Sequence, residues 1–173
     1  MKRSLLIAAL TLASFSVHAA TVEVPLSLAT DKGDGKAIGS ITISETPYGL
    51  EFTPKLEGIE PGIHGFHVHE NPSCAPTEKD GKITIAGAAG GHFDPTKTDK
   101  HLGPYADGHL GDLPALYATG DGKITQPVLA PRIKKISEIQ GRSIMVHVGG
   151  DNHSDHPLPL GGGGARLACG VIK

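Results

Sequence analysis

Alternation with a period of two dominates the first third of the chain. Val22, Val24, Leu26 and Leu28 recur at every second position, as do Ile41 and Ile43, then Leu50 and Phe52, and Gly, Pro or Asp bounds each stretch. Side chains of a strand point alternately to its two faces, so the pattern predicts short strands, each with one face on a core. Pro25 cannot donate to a ladder and puts the first strand at a sheet edge or at a bulge. A period near three occurs at Ile133, Ile136 and Ile139. It predicts a helical turn or two inside a loop over residues 132–140.

Two later stretches alternate histidine with apolar residues. In G-F-H-V-H, Phe66 and Val68 are expected on the core and His67 and His69 together on the other face. Over Ser143 to Val148, His147 should face away from Ile144, Val146 and Val148. Between and after these strands lie two Gly/Pro-rich segments, from about Asn71 to Pro114 and from Gly149 to Gly164, the second ending in four consecutive glycines. Loops of that length in a compact domain are usually functional. No internal repeat or linker divides the chain, so the pattern predicts one all-β domain with two long functional loops.

Composition agrees: 24 Gly, 13 Pro and only 4% aromatic residues describe a protein built on turns and β-branched packing. Residues 1–19 read as a secretory leader, with Lys2 and Arg3 ahead of an apolar run from Leu5 to Val17 and a V-H-A tripeptide that offers cleavage after Ala19. The run is too short to span a bilayer. The expected domain is therefore 20–173, with no membrane segment. Without Lys2 and Arg3 it carries 14 basic against 18 acidic residues, a net charge near −4 that gives no footing for nucleic acid. Its two cysteines, Cys74 and Cys169, are expected to pair in an oxidising compartment; metal ligation by the thiols is the alternative.

The candidate chemistry lies in six histidines and an aspartate: His67, His69, His92, His101, His109, Asp112 and His147. Neutral imidazole is the commonest protein metal ligand, and an excess of nitrogen over oxygen donors favours copper and zinc over magnesium or calcium. A lone histidine is usually a satisfied core or surface group, but six with an aspartate point to two metals side by side. A loop carrying four of these ligands can be ordered by the metal itself.

The stretches G-F-H-V-H-E, G-G-H-F-D-P, K-H-L-G-P, G-H-L-G-D-L, M-V-H-V-G-G-D-N and G-G-G-G-A-R-L-A-C-G-V-I are similar to those of the copper-zinc superoxide dismutases, in their exported bacterial branch, over essentially the whole of 20–173. The resemblance implies a flattened eight-stranded Greek-key β-barrel, related to the immunoglobulin-like sandwich. It implies copper on His67, His69, His92 and His147, and zinc on His92, His101, His109 and Asp112, with His92 shared as a bridge. Asp151 matches the carboxylate that links a copper histidine to a zinc histidine, with Asp155 as a weaker contender. Arg166 matches the active-site arginine. The reaction implied is dismutation of superoxide to dioxygen and hydrogen peroxide in the periplasm, with a copper carrier or noncatalytic metal-binding domain as the alternative.

An acidic protein with an anionic substrate needs a local positive field. Lys79 and Lys82, shortly after Cys74, are the candidates for steering superoxide, and Lys79 matches a lysine of bacterial relatives. His64 is expected to be structural, and His153 and His156 to be exposed loop residues. Monomer and dimer are both open, with a homodimer preferred.

Overall fold

The computed structural model describes residues 20–173, so the leader expected at 1–19 lies outside the described residues. Strands β1 (Thr21–Thr30), β2 (Gly33–Thr46) and β3 (Gly49–Glu57) form an antiparallel meander. The chain then crosses to β4 (Gly62–His64) and β5 (Phe66–His69). After a hairpin of β6 (Thr77–Lys79) and β7 (Lys82–Thr84) come β8 (Leu116–Ala118), β9 (Lys123–Ile124), β10 (Val128–Ala130), β11 (Ser143–His147) and β12 (Arg166–Val171). Eight strands make one sheet in the order β10-β3-β2-β1-β12-β11-β5, with β9 also on β3. The last strand returns beside the first, which is the Greek-key connection, and the sheet curls into a half-barrel with the short β4–β8 ladder beside it. Among the described residues no helix is long and apolar enough to cross a membrane.

The alternating residues fill the interior. Val24, Leu26, Ile41, Ile43, Leu50, Phe52, Phe66, Val68, Ile144 and Val146 are buried in one core, where Phe52 and Phe66 meet edge to face at 5.5 Å. Burying each such side chain contributes about 1.5–3 kcal/mol. This core makes β5 and β11 rigid, and these are the strands that carry His67, His69 and His147.

Two expectations narrow to one of their alternatives, at Pro25 and at the isoleucine repeat, and two change, at Val148 and in the first long loop. Strand β1 lies between β2 and β12, so Pro25 is not on an edge; the alternative holds, because the β1–β2 register shifts just after it, at Leu26/Ser27 and Ser27/Ala29. Pairing of β1 with β12 begins beyond Pro25, at Ser27, so no ladder bond needs the missing N–H. Val148 is exposed rather than in the core, because β11 ends at His147 and its register against β12 shifts there. The first long loop is not wholly irregular: it contains the β6–β7 hairpin and a 3-10 turn at Gly87–Ala89. A further 3-10 turn, Pro159–Gly162, lies in the second loop. The isoleucine repeat forms a single 3-10 turn, Ile136–Glu138, with Ile133 and Ile139 buried on either side of it.

Cys74 and Cys169 form a disulfide across a sequence separation of 95, which ties the first long loop to β12. Closing so long a loop stabilises the fold by about 4–5 kcal/mol on a chain-entropy account.

Candidate metal centre

Strand alternation delivers the first cluster. His67 and His69 project from β5 on the face opposite Phe66 and Val68, and β11 pairs with β5 so that Met145 lies opposite His67 and His147 comes just beyond. His92 joins through a bridge between its backbone and that of His69. The donor atoms of His67, His69, His92 and His147 fall within 4.8 Å of one another, all four residues being buried.

Hydrogen bonds fix which nitrogen of each ring is free. His69 Nδ1 donates to the Gly90 carbonyl at 3.0 Å and His147 Nδ1 to the Gly164 carbonyl at 3.2 Å. His67 donates through Nε2 to Asp151 at 2.7 Å. What remains is Nδ1 of His67 and Nε2 of His69 and His147, three buried nitrogens without a protein partner. Buried polar atoms are nearly always satisfied, so convergent orphans mark the place of a ligand. Burial, and then the neighbouring His92, depresses the pKa of His67 to about 3; burial likewise depresses His147 to about 4, and lowers His69 and His92. Neutral imidazoles with one lone pair aimed inward are the form that binds a metal.

The second cluster centres on Asp112. Its Oδ1 lies 2.9 Å from Nδ1 of His92, 3.0 Å from Nδ1 of His101 and 3.3 Å from Nδ1 of His109. Asp112 Oδ2 has no partner. A compact quartet of His67, His92, His101 and Asp112 has its donor atoms within 4.8 Å; His109 touches Asp112 but is not in that quartet. Three nitrogens and a carboxylate suit tetrahedral zinc, and four nitrogens suit tetragonal copper. Burial opposes ionisation of Asp112, but hydrogen bonds from His101 and His92 outweigh it and hold the carboxyl well below the usual range. At His101 burial disfavours charge, yet Asp112 and Asp151 together raise its pKa to about 9.

Asp151 joins the clusters. One carboxylate oxygen accepts from Nε2 of His67 at 2.7 Å and the other from Nε2 of His101 at 2.8 Å. Gly161, with φ of +71°, lets the second loop lie against this carboxylate where any side chain would collide. Asp155 does not make the link; its Oδ2 accepts from the His101 backbone N–H at 2.9 Å.

Arg166, at the start of β12, donates to the carbonyls of Ala86 and Gly90. The Gly90 carbonyl also accepts from His69, so the half-buried guanidinium stands beside the first cluster. Lys79 and Lys82 face each other across the β6–β7 hairpin and are exposed. Thr77 of this hairpin packs on Gly87, next to the Ala86 carbonyl that Arg166 grips. His64 is buried, its two ring nitrogens facing the carbonyls of His147 and Glu60, which fits a structural role. His156 is exposed, whereas His153 is partly buried against Gly103.

Sequence reading missed Glu70 and Arg142. Glu70 Oε2 accepts from the Gly91 N–H at 3.1 Å, Arg142 donates to the Glu70 carbonyl at 2.8 Å, and the Arg142 guanidinium lies 3.5 Å from the Phe93 ring centroid. Both residues brace the segment around His92. The glutamate directly after H-V-H was the available signal; Arg142 carried none, because its acceptor is a main-chain carbonyl.

An all-β half-barrel holding a four-imidazole cluster against a three-imidazole, one-carboxylate cluster fits a copper-zinc oxidoreductase. The sequence matches the family described as copper/zinc superoxide dismutase over residues 37–172. It is 58% identical to the superoxide dismutase (Cu-Zn) of Brucella melitensis and 57% identical to that of Escherichia coli, in each case over the full length of both chains. Among solved structures, the Cu/Zn superoxide dismutase from Brucella abortus superposes with a TM-score of 0.87 at 60% identity, covering 89% of this chain and all of that one. The monomeric copper, zinc superoxide dismutase from Salmonella enterica gives 0.82 at 55% identity, with the same coverage. The chain belongs to the copper/zinc superoxide dismutase family: it is an enzyme of superoxide dismutation with copper and zinc as its metals.

Proposed function

We propose that His67, His69, His92 and His147 hold copper, that His92, His101, His109 and Asp112 hold zinc, and that His92 is common to both. The observation that carries the copper assignment is the convergence of three orphaned nitrogens, Nδ1 of His67 and Nε2 of His69 and His147, in one buried cluster with His92. Copper, when bound, supplies the one-electron couple that lets two superoxide ions and two protons become dioxygen and hydrogen peroxide.

The chain's own groups do the rest. Arg166 keeps two donors on the Ala86 and Gly90 carbonyls, which fixes the guanidinium plane and leaves its other N–H groups to bind the anion and stabilise charge developing on peroxide. His92 has Nδ1 on Asp112, which leaves Nε2 as the ring atom that would take up and release a proton. Asp151 orients His67 and His101 and fixes their tautomers. Lys79 adds positive potential from the hairpin next to the arginine and steers superoxide inward.

The same reading places the enzyme in the periplasm after removal of residues 1–19, and the Cys74–Cys169 disulfide supports an oxidising compartment. Its assembly is read as a homodimer. Support comes from Ile63 and Tyr117, directly opposed in the β4–β8 ladder and both more than half exposed. Light scattering at the mass of one chain would refute the dimer. The metal assignment is tested by metal analysis of His69→Ala and His109→Ala: the first should lose copper and keep zinc, the second the reverse. The assignment is wrong if both variants lose the same metal.

A further inference from the structure

The described residues contain three arginines, and each donates to main-chain carbonyls of a segment that carries or flanks the histidine ligands. Arg142 takes the Glu70 carbonyl beside His69, and Arg166 takes those of Ala86 and Gly90. The third, Arg132, donates through Nη1 to the His109 carbonyl at 3.0 Å and through Nη2 to the Gly108 carbonyl at 2.9 Å. It is the arginine that reaches the zinc side.

His109 is the member of the proposed zinc set that depends most on such a grip. It comes from neither a strand nor a helix but from an irregular stretch. Its Nδ1 stands farther from Asp112 Oδ1 than those of His92 and His101, at 3.3 Å. Main-chain bonds fix its position: its N–H donates to the Lys100 carbonyl at 2.9 Å, and its own carbonyl accepts from Arg132 at 3.0 Å and, at 3.3 Å, from the Asp112 N–H. Gly108 carries no side chain that could help, since a Cβ there would collide with the Lys100 carbonyl.

Arg132, in contrast, grows from firm ground. Ala130, two residues before it, ends β10 in the core, and Ile133, directly after it, is buried with its carbonyl accepting the Leu50 N–H at 2.9 Å. The side chain is thus a strut from the barrel wall to the ligand loop, across a sequence separation of 23. Two successive carbonyls match the rigid planar fork of a guanidinium, and a lysine ammonium on a flexible stem cannot hold both in one geometry.

We propose that Arg132 is a positioning residue for zinc, setting the approach of His109 to the site through the carbonyls of Gly108 and His109. The proposal rests on His109 being a zinc ligand. Residues that orient metal ligands typically change metal affinity by about 10- to 100-fold when lost.

The test is zinc affinity by chelator competition for wild type, Arg132→Gln, Arg132→Lys and His109→Ala, with copper affinity measured alongside and cobalt(II) spectra recorded at the zinc site. Both Arg132 variants should bind zinc about 10-fold or more weakly, keep copper affinity within about twofold, and show an altered cobalt spectrum. Arg132→Lys keeps the charge and most of the stem, so it serves if the glutamine variant does not fold. Zinc affinity within twofold of wild type in Arg132→Lys, or an equal loss of both metals, would overturn the proposal. If His109→Ala itself leaves zinc affinity unchanged, the ligand assignment fails instead; if His109→Ala weakens zinc and Arg132→Lys does not, only the strut fails.

Discussion

The imidazole rings of His67 and His92 stack, with centroids 3.9 Å apart and planes 25° from parallel. Both residues belong to both four-residue clusters, so geometry alone offers two candidates for a shared ligand. Hydrogen bonding separates them. His67 commits Nε2 to Asp151, which lies outside the proposed ligand set, and keeps one free nitrogen, whereas His92 turns Nδ1 to Asp112, which lies inside it. A bridge needs both nitrogens, so the bridge we propose is His92, with His67 as its stacked neighbour.

Asp151 is the link that a metal-free protein retains between the two halves. Asp151→Asn keeps the shape but can accept through only one of its two terminal atoms. One of His67 and His101 then loses its orienting acceptor, and loss of such a partner costs about 10- to 100-fold in metal affinity. Competition titrations should find at least one metal weakened by that factor. Unchanged affinities for both would mean that Asp151 merely fills space.

The metal-free protein should be most stable near pH 6.5. Burial holds His67 at about 3 and His147 at about 4 in the fold, while in the unfolded chain both titrate near 6.5. The unfolded state therefore binds more protons as pH falls from 6.5 towards 3, and stability drops across that window. His101 has the opposite sign: raised to about 9, it contributes stability below 6.5 that is lost as pH rises through 9. Thermal unfolding of the apo-protein from pH 4 to 10 should trace a maximum. A melting temperature flat from 6.5 to 4 would contradict the account.

Arg166 and Lys79 should separate in their response to salt. Arg166→Ala ought to lower activity about tenfold or more, corresponding to roughly 1.4 kcal/mol of transition-state stabilisation, at any ionic strength. Lys79 acts through the encounter rate, so Lys79→Ala and Lys79→Glu should fall progressively below wild type at low salt. The three rates should converge as the Debye length shrinks to about 8 Å. Coincident rates at low salt would leave Lys79 as an ordinary surface lysine.

Much of this architecture was legible because period-two alternation and burial are the same fact seen twice. Val24, Leu26, Ile41, Ile43, Leu50 and Phe52 all lie in the core that the pattern assigned to them. The histidine pairing in H-V-H was legible for the same reason. Val148 was not, because a register shift at the end of β11 breaks the alternation and leaves no mark in residue type. The β6–β7 hairpin did leave a mark, the Asp80-Gly81 pair between Lys79 and Lys82, both residues of which adopt positive φ. Asp-Gly between two strands is the strongest local hairpin signal, but the strands it joins are only three residues long and too short to show an alternation of their own. Arg132 and Arg142 were invisible for a different reason: their acceptors are carbonyls, which every residue has.

The most direct test of the central claim, two metals joined through one imidazole, is metal content together with the copper electron paramagnetic resonance spectrum of His92→Ala beside His67→Ala. The account predicts that His92→Ala weakens both copper and zinc and changes the copper spectrum, while His67→Ala weakens copper and retains zinc. Full zinc occupancy in His92→Ala would contradict it.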